Sequence, residues 1–336
     1  MPERSTSHAA AGLKEAGRAV TQPAVTQKHR VAKRMILGPL APLANRWALS
    51  PPPTALKAKI LRRVVVPAVV AAGKEYVRDV AAGFRFGGNA TDLLELYVHL
   101  FGVWEPNLTA FLTNRLSAGD VFVDVGANSG WFTTLAATRV GPAGKVVAVE
   151  ASPTIARRIG DNLRRNGLDN VRVVVSAAGR EAGEVDVELG PAEHTGLTKV
   201  HRASGAVTAA ARVPCDTLPN LLTADELATA RVVKVDVEGG EFDVVAGLGA
   251  RLRHFSDGCE FVVEVGPRRT ASRGDVDDLI ATFTGQGYTP YLLPNAYAIA
   301  DYLFADVPAQ LDRIDRTPSI ETDIVFSRHD GPTLPL

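Results

Sequence analysis

Two acids, each closing a short apolar run, are the residues of this chain best placed to do chemistry. Val121-Phe-Val-Asp-Val-Gly-Ala-Asn-Ser-Gly-Trp-Phe132 reads as a buried strand ending in Asp124, a turn with glycines at 126 and 130, and an apolar-periodic helix from about Ser129 to Thr138. A strand that runs through a glycine turn into a helix lets backbone approach a ligand at the carboxyl edge of a parallel sheet. Twenty residues beyond Gly130, Lys145-Val-Val-Ala-Val-Glu150 is a second short strand that also ends in an acid. An acid there can accept bonds from both hydroxyls of a ribose. The pair describes a pocket for an adenosine-containing cofactor.

The turn narrows the choice of cofactor. A dinucleotide site wants G-x-G-x-x-G so that a pyrophosphate can sit on the helix amino end. Here the run is Gly126-Ala-Asn-Ser-Gly130, with Asn128 in place of the second glycine. S-adenosylmethionine has no phosphate and offers an ammonium, a carboxylate and a sulfonium. Asp124 and the turn carbonyls suit the ammonium, and the Asn128 amide with the turn N–H groups suits the carboxylate. The competing structural reading is that the glycines only shape a tight turn and Asp124 only ends a strand. Glu150 at the right separation weighs against it.

Arg231-Val-Val-Lys-Val-Asp-Val-Glu-Gly-Gly-Glu241 is the second constellation. Strand side chains alternate, so Lys234, Asp236 and Glu238 share one face while Val233, Val235 and Val237 share the other. Core strands of parallel sheets are normally apolar on both faces. Charges at such a strand's carboxyl end are costly unless they line a polar cleft or pair with each other. The bland alternative is a structural ion pair from Lys234 to Asp236 or Glu238, with Glu241 favouring the next helix's amino end.

DVGANSG, VVAVEASP, CDTL and VKVDVEGGEFDVVAGLG, in that order, resemble the successive motifs of FkbM-type methyltransferases, a class I S-adenosylmethionine-dependent family. The likeness spans about Gly102 to Arg328. It implies a doubly wound, Rossmann-like α/β sheet of about seven strands and methylation, mostly of hydroxyl oxygens on natural products, sugars or lipids. Carried over by position, Asp124, Gly126, Asn128 and Gly130 hold the methionine part and Glu150 the ribose, while Asp236 and Glu238 border the transfer centre. Glu105 is a further candidate on the cofactor side, or else merely a helix-start acid. A neutral hydroxyl is a poor nucleophile and needs a base within reach. Asp236 is the first candidate, Glu238 the second, and His194 or His201 the third. Both histidines lie in 190–212, a connection long enough to cover an acceptor. Glu264 lines the acceptor side or is a paired core-edge acid. No metal is expected, because the strand through Cys259–Val265 runs into Gly-Pro-Arg-Arg rather than further oxygen ligands. Two rival classes are an NAD-dependent oxidoreductase on the same sheet and a non-catalytic cofactor- or partner-binding module.

Elements that would position these residues follow from periodicity. Pro106 opens a helix that ends by Ala118-Gly119-Asp120; Ser152-Pro153 starts another that runs to Asn166 and stops at Gly167. Strands are expected at 171–176, 231–237 and 259–265, with a closing hairpin from 288–293 and 322–326. Glu184–Leu189 alternates like an edge strand, Asp216 should cap a helix through Leu227, and helices are expected over 241–252 and 276–283. Upstream, Lys57–Val80 has a helical pattern interrupted near Pro67, Met35–Leu49 could be a short amphipathic segment, and Gly83–Gly88 reads as a short strand or hairpin edge.

The 336 residues carry 37 Lys/Arg and 37 Asp/Glu, yet twelve Lys/Arg and only two acids, Glu3 and Glu15, lie in the first 63 positions. That stretch is therefore +10 and the remainder −10. Three regions are expected: a basic, Pro-punctuated leader (1–60), a helical or hairpin extension (61–101) and the cofactor-binding domain (102–330). The leader reads as flexible, with weak contact to an anionic membrane surface as its candidate role. Nucleic acid is not the expected partner; a small-molecule hydroxyl acceptor is, and a homo-oligomer is compatible with the composition. Cys215 and Cys259, far apart, fit a reducing cytoplasmic setting.

Overall fold

The computed structural model describes residues 55–190, 198–202, 210–266, 273–295, 297–303 and 307–336. Seven strands form the central sheet: β1 (Val121–Val125), β2 (Lys145–Glu150), β3 (Val171–Val175), β4 (Ala230–Val235), β5 (Glu260–Val265), β6 (Thr289–Leu293) and β7 (Thr322–Ser327). Their order across the sheet is β6-β7-β5-β4-β1-β2-β3. β7 runs antiparallel between β5 and β6, and the strands from β5 to β3 are parallel. The chain leaves β1 towards β2 and β3 on one side and returns to β4 and β5 on the other. Strand order thus reverses between β1 and β4, and a ligand crevice opens beyond their carboxyl ends.

The apolar runs in β1, β4 and β5 are continuous because both faces are covered. Val123, Val125, Val233, Val235 and Val263 face a layer that includes α4 (Glu241–Leu248) and α5 (Arg273–Thr284). Phe122, Val232 and Val262 face α1 (Pro106–Arg115) and α2 (Trp131–Val140). Asp124, Lys234 and Glu264 fall at even positions on that second face, near the carboxyl edge. α3 (Pro153–Asn166) begins as its sequence says: Ser152 Oγ accepts from Ile155 N, and Gly167 ends it at φ 62°.

Several expectations need correction. Helix over 57–80 stops early: Ala55–Ile60, a π-turn Leu61–Val65 ahead of Pro67 and Val66–Ala72 are helical, and then Glu75–Asp79 pairs as a strand with Arg85–Asn89. Gly73 at φ 56° is the break. The strand expected at the edge, Gly183–Glu188, instead sits inside a separate four-stranded sheet. Lys199–Arg202 pairs with it on one side and Ala211–Asp216 on the other. Its Asp186 is held by Arg212 at 2.7 and 3.1 Å. Asp216 does not start one long helix. Leu218–Leu221 ends, and Ala224–Thr229 begins anew with a Thr223/Glu226 capping box. The helix through Leu252 tightens into a 3₁₀ turn at Gly249–His254. Past the expected boundary at 330, Thr333–Pro335 pairs with Gln310–Asp312.

The helical stretch that starts at Ala55 shows Leu56, Lys59, Arg63 and Val64 exposed at i, i+3, i+7 and i+8, one face of a helix. Among the described residues no helix is long and apolar enough to cross a membrane. Met35–Leu49 lies outside the described residues.

Candidate functional site

The glycine turn is fastened to the ends of three strands. Gly126 N and Ala127 N both donate to Val149 O of β2, at 2.9 and 3.1 Å, and Asp236 N donates to Val125 O at 3.0 Å. Gly126 has φ 79°, and a Cβ there would lie 1.7 Å from the Asp236 carbonyl oxygen. Here glycine is a steric requirement: the turn and the end of β4 touch through backbone. Asn128 also takes a positive φ, 49°, which its short amide side chain tolerates better than most.

Glu150 is positioned through both carboxylate oxygens. Asn128 N donates to Oε2 at 2.9 Å and Ser152 N to Oε1 at 2.8 Å. Each oxygen keeps a lone pair for a further donor. Burial pushes this carboxyl up to about 7, against the pull of those two N–H groups. Asp124 is fully buried; Thr133 Oγ1 donates to its Oδ2 at 2.6 Å. Its Oδ1, the Asn128 Oδ1 and the Ser129 Oγ are buried without a hydrogen-bond partner. Buried polar atoms are nearly always satisfied. Orphans gathered around one glycine turn therefore fit a ligand bearing both an ammonium and hydroxyls. Asp124, Gly126, Asn128, Gly130 and Glu150 are brought together as the spacing predicted.

The second constellation forms a charged cluster beside that turn. Lys234 Nζ lies 3.1 Å from Asp236 Oδ2, 3.9 Å from Asp124 Oδ1 and 5.3 Å from the centroid of the Phe132 ring. Burial opposes the ammonium, but the Asp236 and Asp124 carboxylates outweigh it and hold Lys234 well above its usual value. The Lys234 and Asp124 side chains are 4% and 1% exposed, whereas Asp236 keeps 24%. Of these three, Asp236 is the one that a second substrate can reach.

Glu241 does more than favour a helix end. Its carboxylate accepts from Val237 N at 3.0 Å and from Gly239 N at 3.1 and 3.0 Å, so it fixes the loop that carries Glu238. Glu238 adopts φ 57° there, past the end of the strand whose face it was expected to share. One oxygen each from Asp236, Glu241 and Glu264 lies within 4.8 Å of the others. An acidic trio does not by itself make a metal site, and the cation that the geometry supplies beside it is Lys234. Glu105 joins this cluster. Tyr297 OH lies 2.9 Å from Glu105 Oε1 and 3.1 Å from Glu264 Oε1, Glu105 N donates to Tyr302 OH at 3.0 Å, and Glu264 pairs in register with Asp323 of β7.

His194 lies outside the described residues, and His201 lies in the strand Lys199–Arg202. The stretch expected to cover the acceptor is therefore partly strand. Sequence reasoning missed Tyr297, Tyr302 and Asp323. An acid inside the apolar run Thr322–Phe326 was the same signal that singled out Lys234 and Asp236. Nothing in Pro294-Asn-Ala-Tyr297 marks the tyrosine.

Residues 124–290 match the family described as the methyltransferase FkbM domain. A protein-L-isoaspartate O-methyltransferase from Ignicoccus hospitalis is 35% identical over 72 residues, covering 21% of this chain and 34% of that protein. A second, from Archaeoglobus fulgidus, is 35% identical over 72 residues, covering 21% and 33%. The chain thus spans about a third of the length of the curated relatives it matches. Among solved structures, methyltransferase FkbM from Methylobacillus flagellatus aligns with a TM-score of 0.40 at 12% identity, covering 88% of this chain and 60% of that one. A SAM-dependent methyltransferase from Agrobacterium tumefaciens aligns with a TM-score of 0.43 at 14% identity, covering 76% and 71%.

Proposed function

Since the chain belongs, through residues 124–290, to the FkbM-type S-adenosylmethionine-dependent methyltransferases, we propose that it methylates a hydroxyl oxygen of a small molecule: a natural product, a sugar or a lipid. The observation that carries this reading is Asp236. It abuts the cofactor turn through its carbonyl, pairs with Lys234, and keeps solvent access that its charged neighbours lack.

Bound S-adenosylmethionine supplies an electrophilic methyl group on a sulfonium. The chain's own residues supply placement and proton handling. Asp124 and the Gly126–Gly130 turn hold the methionine end, and Glu150 takes the ribose hydroxyls. β1 and β4 lie side by side, with Lys234 in register with Asp124, so the acid just past the end of β4 stands beside the turn that would hold the cofactor past the end of β1. Much of the acceleration in such a displacement comes from that alignment. Asp236, whose carboxylate pairs with Lys234 at 3.1 Å, accepts the proton that the acceptor hydroxyl loses as it attacks. Glu238, on the same loop, is the alternative base.

A mass-tagged methyl donor added with purified protein to native extract tests the assignment. A labelled product whose mass and hydrolysis identify an O-methyl group is expected. Donor binding without any labelled fraction would favour the non-catalytic module.

Glu150 gives the binding step a pH signature. Its folded pKa, about 7, lies above its ordinary 4.5, so in the free protein its contribution to stability is present below 4.5 and is lost as pH rises through about 7. Ribose hydroxyls donate to the ionised form and reverse that preference. Affinity for the demethylated cofactor should therefore rise between about pH 6 and pH 8, with proton release on binding near neutrality. Calorimetry in two buffers of different ionisation heat reads both. Glu150→Gln should weaken binding and flatten the pH dependence; an unchanged slope in that variant would remove Glu150 from the ribose.

A further inference from the structure

Leu56 and Val64 are the two most exposed large apolar side chains among the described residues, at 65% and 52%. They share a helical face with Lys59 and Arg63, both exposed as well. The other side of the same stretch is anchored: Leu61 is fully buried and packs with Val69, Leu96 and Leu100. An apolar and basic surface is thus held out on a folded support. Val77, third in exposure, has a different setting, since it shares its strand face with the exposed acids Glu75 and Asp79.

Charge narrows what can cover Leu56 and Val64. No Asp or Glu occurs between Glu15 and Glu75. The leader ahead of Ala55 is itself basic, with eight Lys/Arg against Glu3 and Glu15, so it repels this face rather than complementing it. A second copy docked through the same patch about a two-fold axis would set Lys59 and Arg63 against their own counterparts. A nucleic-acid backbone would meet the cations but give the leucine and valine nothing apolar to bury against. An anionic bilayer satisfies both demands: its headgroups neutralise Lys and Arg, and its acyl boundary takes the apolar side chains.

We propose that the chain docks on an anionic lipid surface through Leu56, Lys59, Arg63 and Val64, with the basic leader adding attraction at longer range. The docking helix also reaches the acidic cluster. Ala55–Ile60 packs on Ile299–Leu303, and Tyr302 of that helix accepts from Glu105 N at 3.0 Å. Tyr297, just before it, bridges Glu105 and Glu264 at 2.9 and 3.1 Å. One short helix therefore joins the lipid-facing surface to the wall of the candidate site.

Sedimentation of the full chain with vesicles tests the proposal, without cofactor and without turnover, so its outcome is separate from that of the methyltransferase assignment. The chain should sediment with phosphatidylcholine mixed with phosphatidylglycerol, not with phosphatidylcholine alone, and salt should release it. Lys59→Gln and Arg63→Gln should each weaken partitioning roughly fivefold. Leu56→Ser with Val64→Ser should weaken it about tenfold with every charge intact. Emission from Leu56→Trp should move to the blue on adding the mixed vesicles. Four results overturn the proposal. They are equal binding to both vesicle types, binding that ignores Leu56→Ser with Val64→Ser and so belongs to the leader alone, retention of an RNA oligonucleotide but not of vesicles, and a dimer that dissociates in the serine variant. An unshifted Leu56→Trp emission in the vesicle-bound chain is equally decisive against it.

Discussion

Gly126→Ala should abolish cofactor binding and remove about 2–5 kcal/mol of stability. Two costs combine in that figure. A non-glycine residue at φ 79° pays roughly 1–2 kcal/mol for the left-handed region. The new methyl carbon would also sit 1.7 Å from Asp236 O and 2.7 Å from its carbonyl carbon. Overpacking of this kind costs about 1–3 kcal/mol when neighbours can shift. These neighbours are backbone, tied by Asp236 N to Val125 O at 3.0 Å, so relief means parting β1 from β4 at the crevice itself. A loss of that size is a large part of a typical domain's total. Gly130→Ala is the internal comparison: it shares a positive φ, 86°, but its Cβ would meet Ile159 at 3.3 Å, a contact that a few tenths of an ångström relieves. Urea unfolding and calorimetry with the demethylated cofactor separate the two. If Gly126→Ala matches the parent in midpoint and in binding, the turn does not abut β4 and the site as drawn is wrong.

What the sequence disclosed, and what it hid, follows from how far each signal reaches along the chain. β1, β2 and β4 were legible because an apolar run ending in an acid is a local pattern, and burial on both faces keeps that pattern continuous. The cap of α3 was legible for the same reason, since Ser152, Pro153 and Gly167 act within a turn of where they stand. Gly183–Glu188 was misplaced because alternation reports one wet face and says nothing about partners. Its neighbours, Lys199–Arg202 and Ala211–Asp216, carry weak patterns of their own. Glu105 could be read either as facing the cofactor side or as a helix-start acid. Its contacts with Tyr297 and Tyr302, more than 190 positions away, had no local signal. The turn proposed to hold the cofactor is written in five consecutive residues, Gly126–Gly130, whereas the cluster proposed to meet the acceptor draws together Glu105, Asp236, Glu264 and Tyr297 from distant parts of the sequence. Cofactor class was therefore readable and acceptor identity was not.

Asp236→Asn should cut kcat by about 10² to 10⁴, the range for losing a general base, while leaving affinity for the donor close to that of the parent. The substitution keeps the side chain's size, and an amide oxygen can still accept from Lys234 Nζ, now 3.1 Å away. What disappears is the proton-accepting charge. Truncating one member of a buried ion pair ordinarily costs about 3–5 kcal/mol, because the survivor is stranded. Here Lys234 retains Asp124 at 3.9 Å, and the loss of one negative charge relieves the remaining carboxylates. Stability should thus move by less than about 1 kcal/mol, well below that penalty. The combination of a large kinetic loss with an intact fold and intact donor binding is what separates a base from a structural partner. Single-turnover assays on the acceptor identified by labelling provide the measurement. If kcat stays within a few-fold of the parent, Asp236 only lines the rim, and the same assay on Glu238→Gln decides whether the loop beyond β4 carries the base instead.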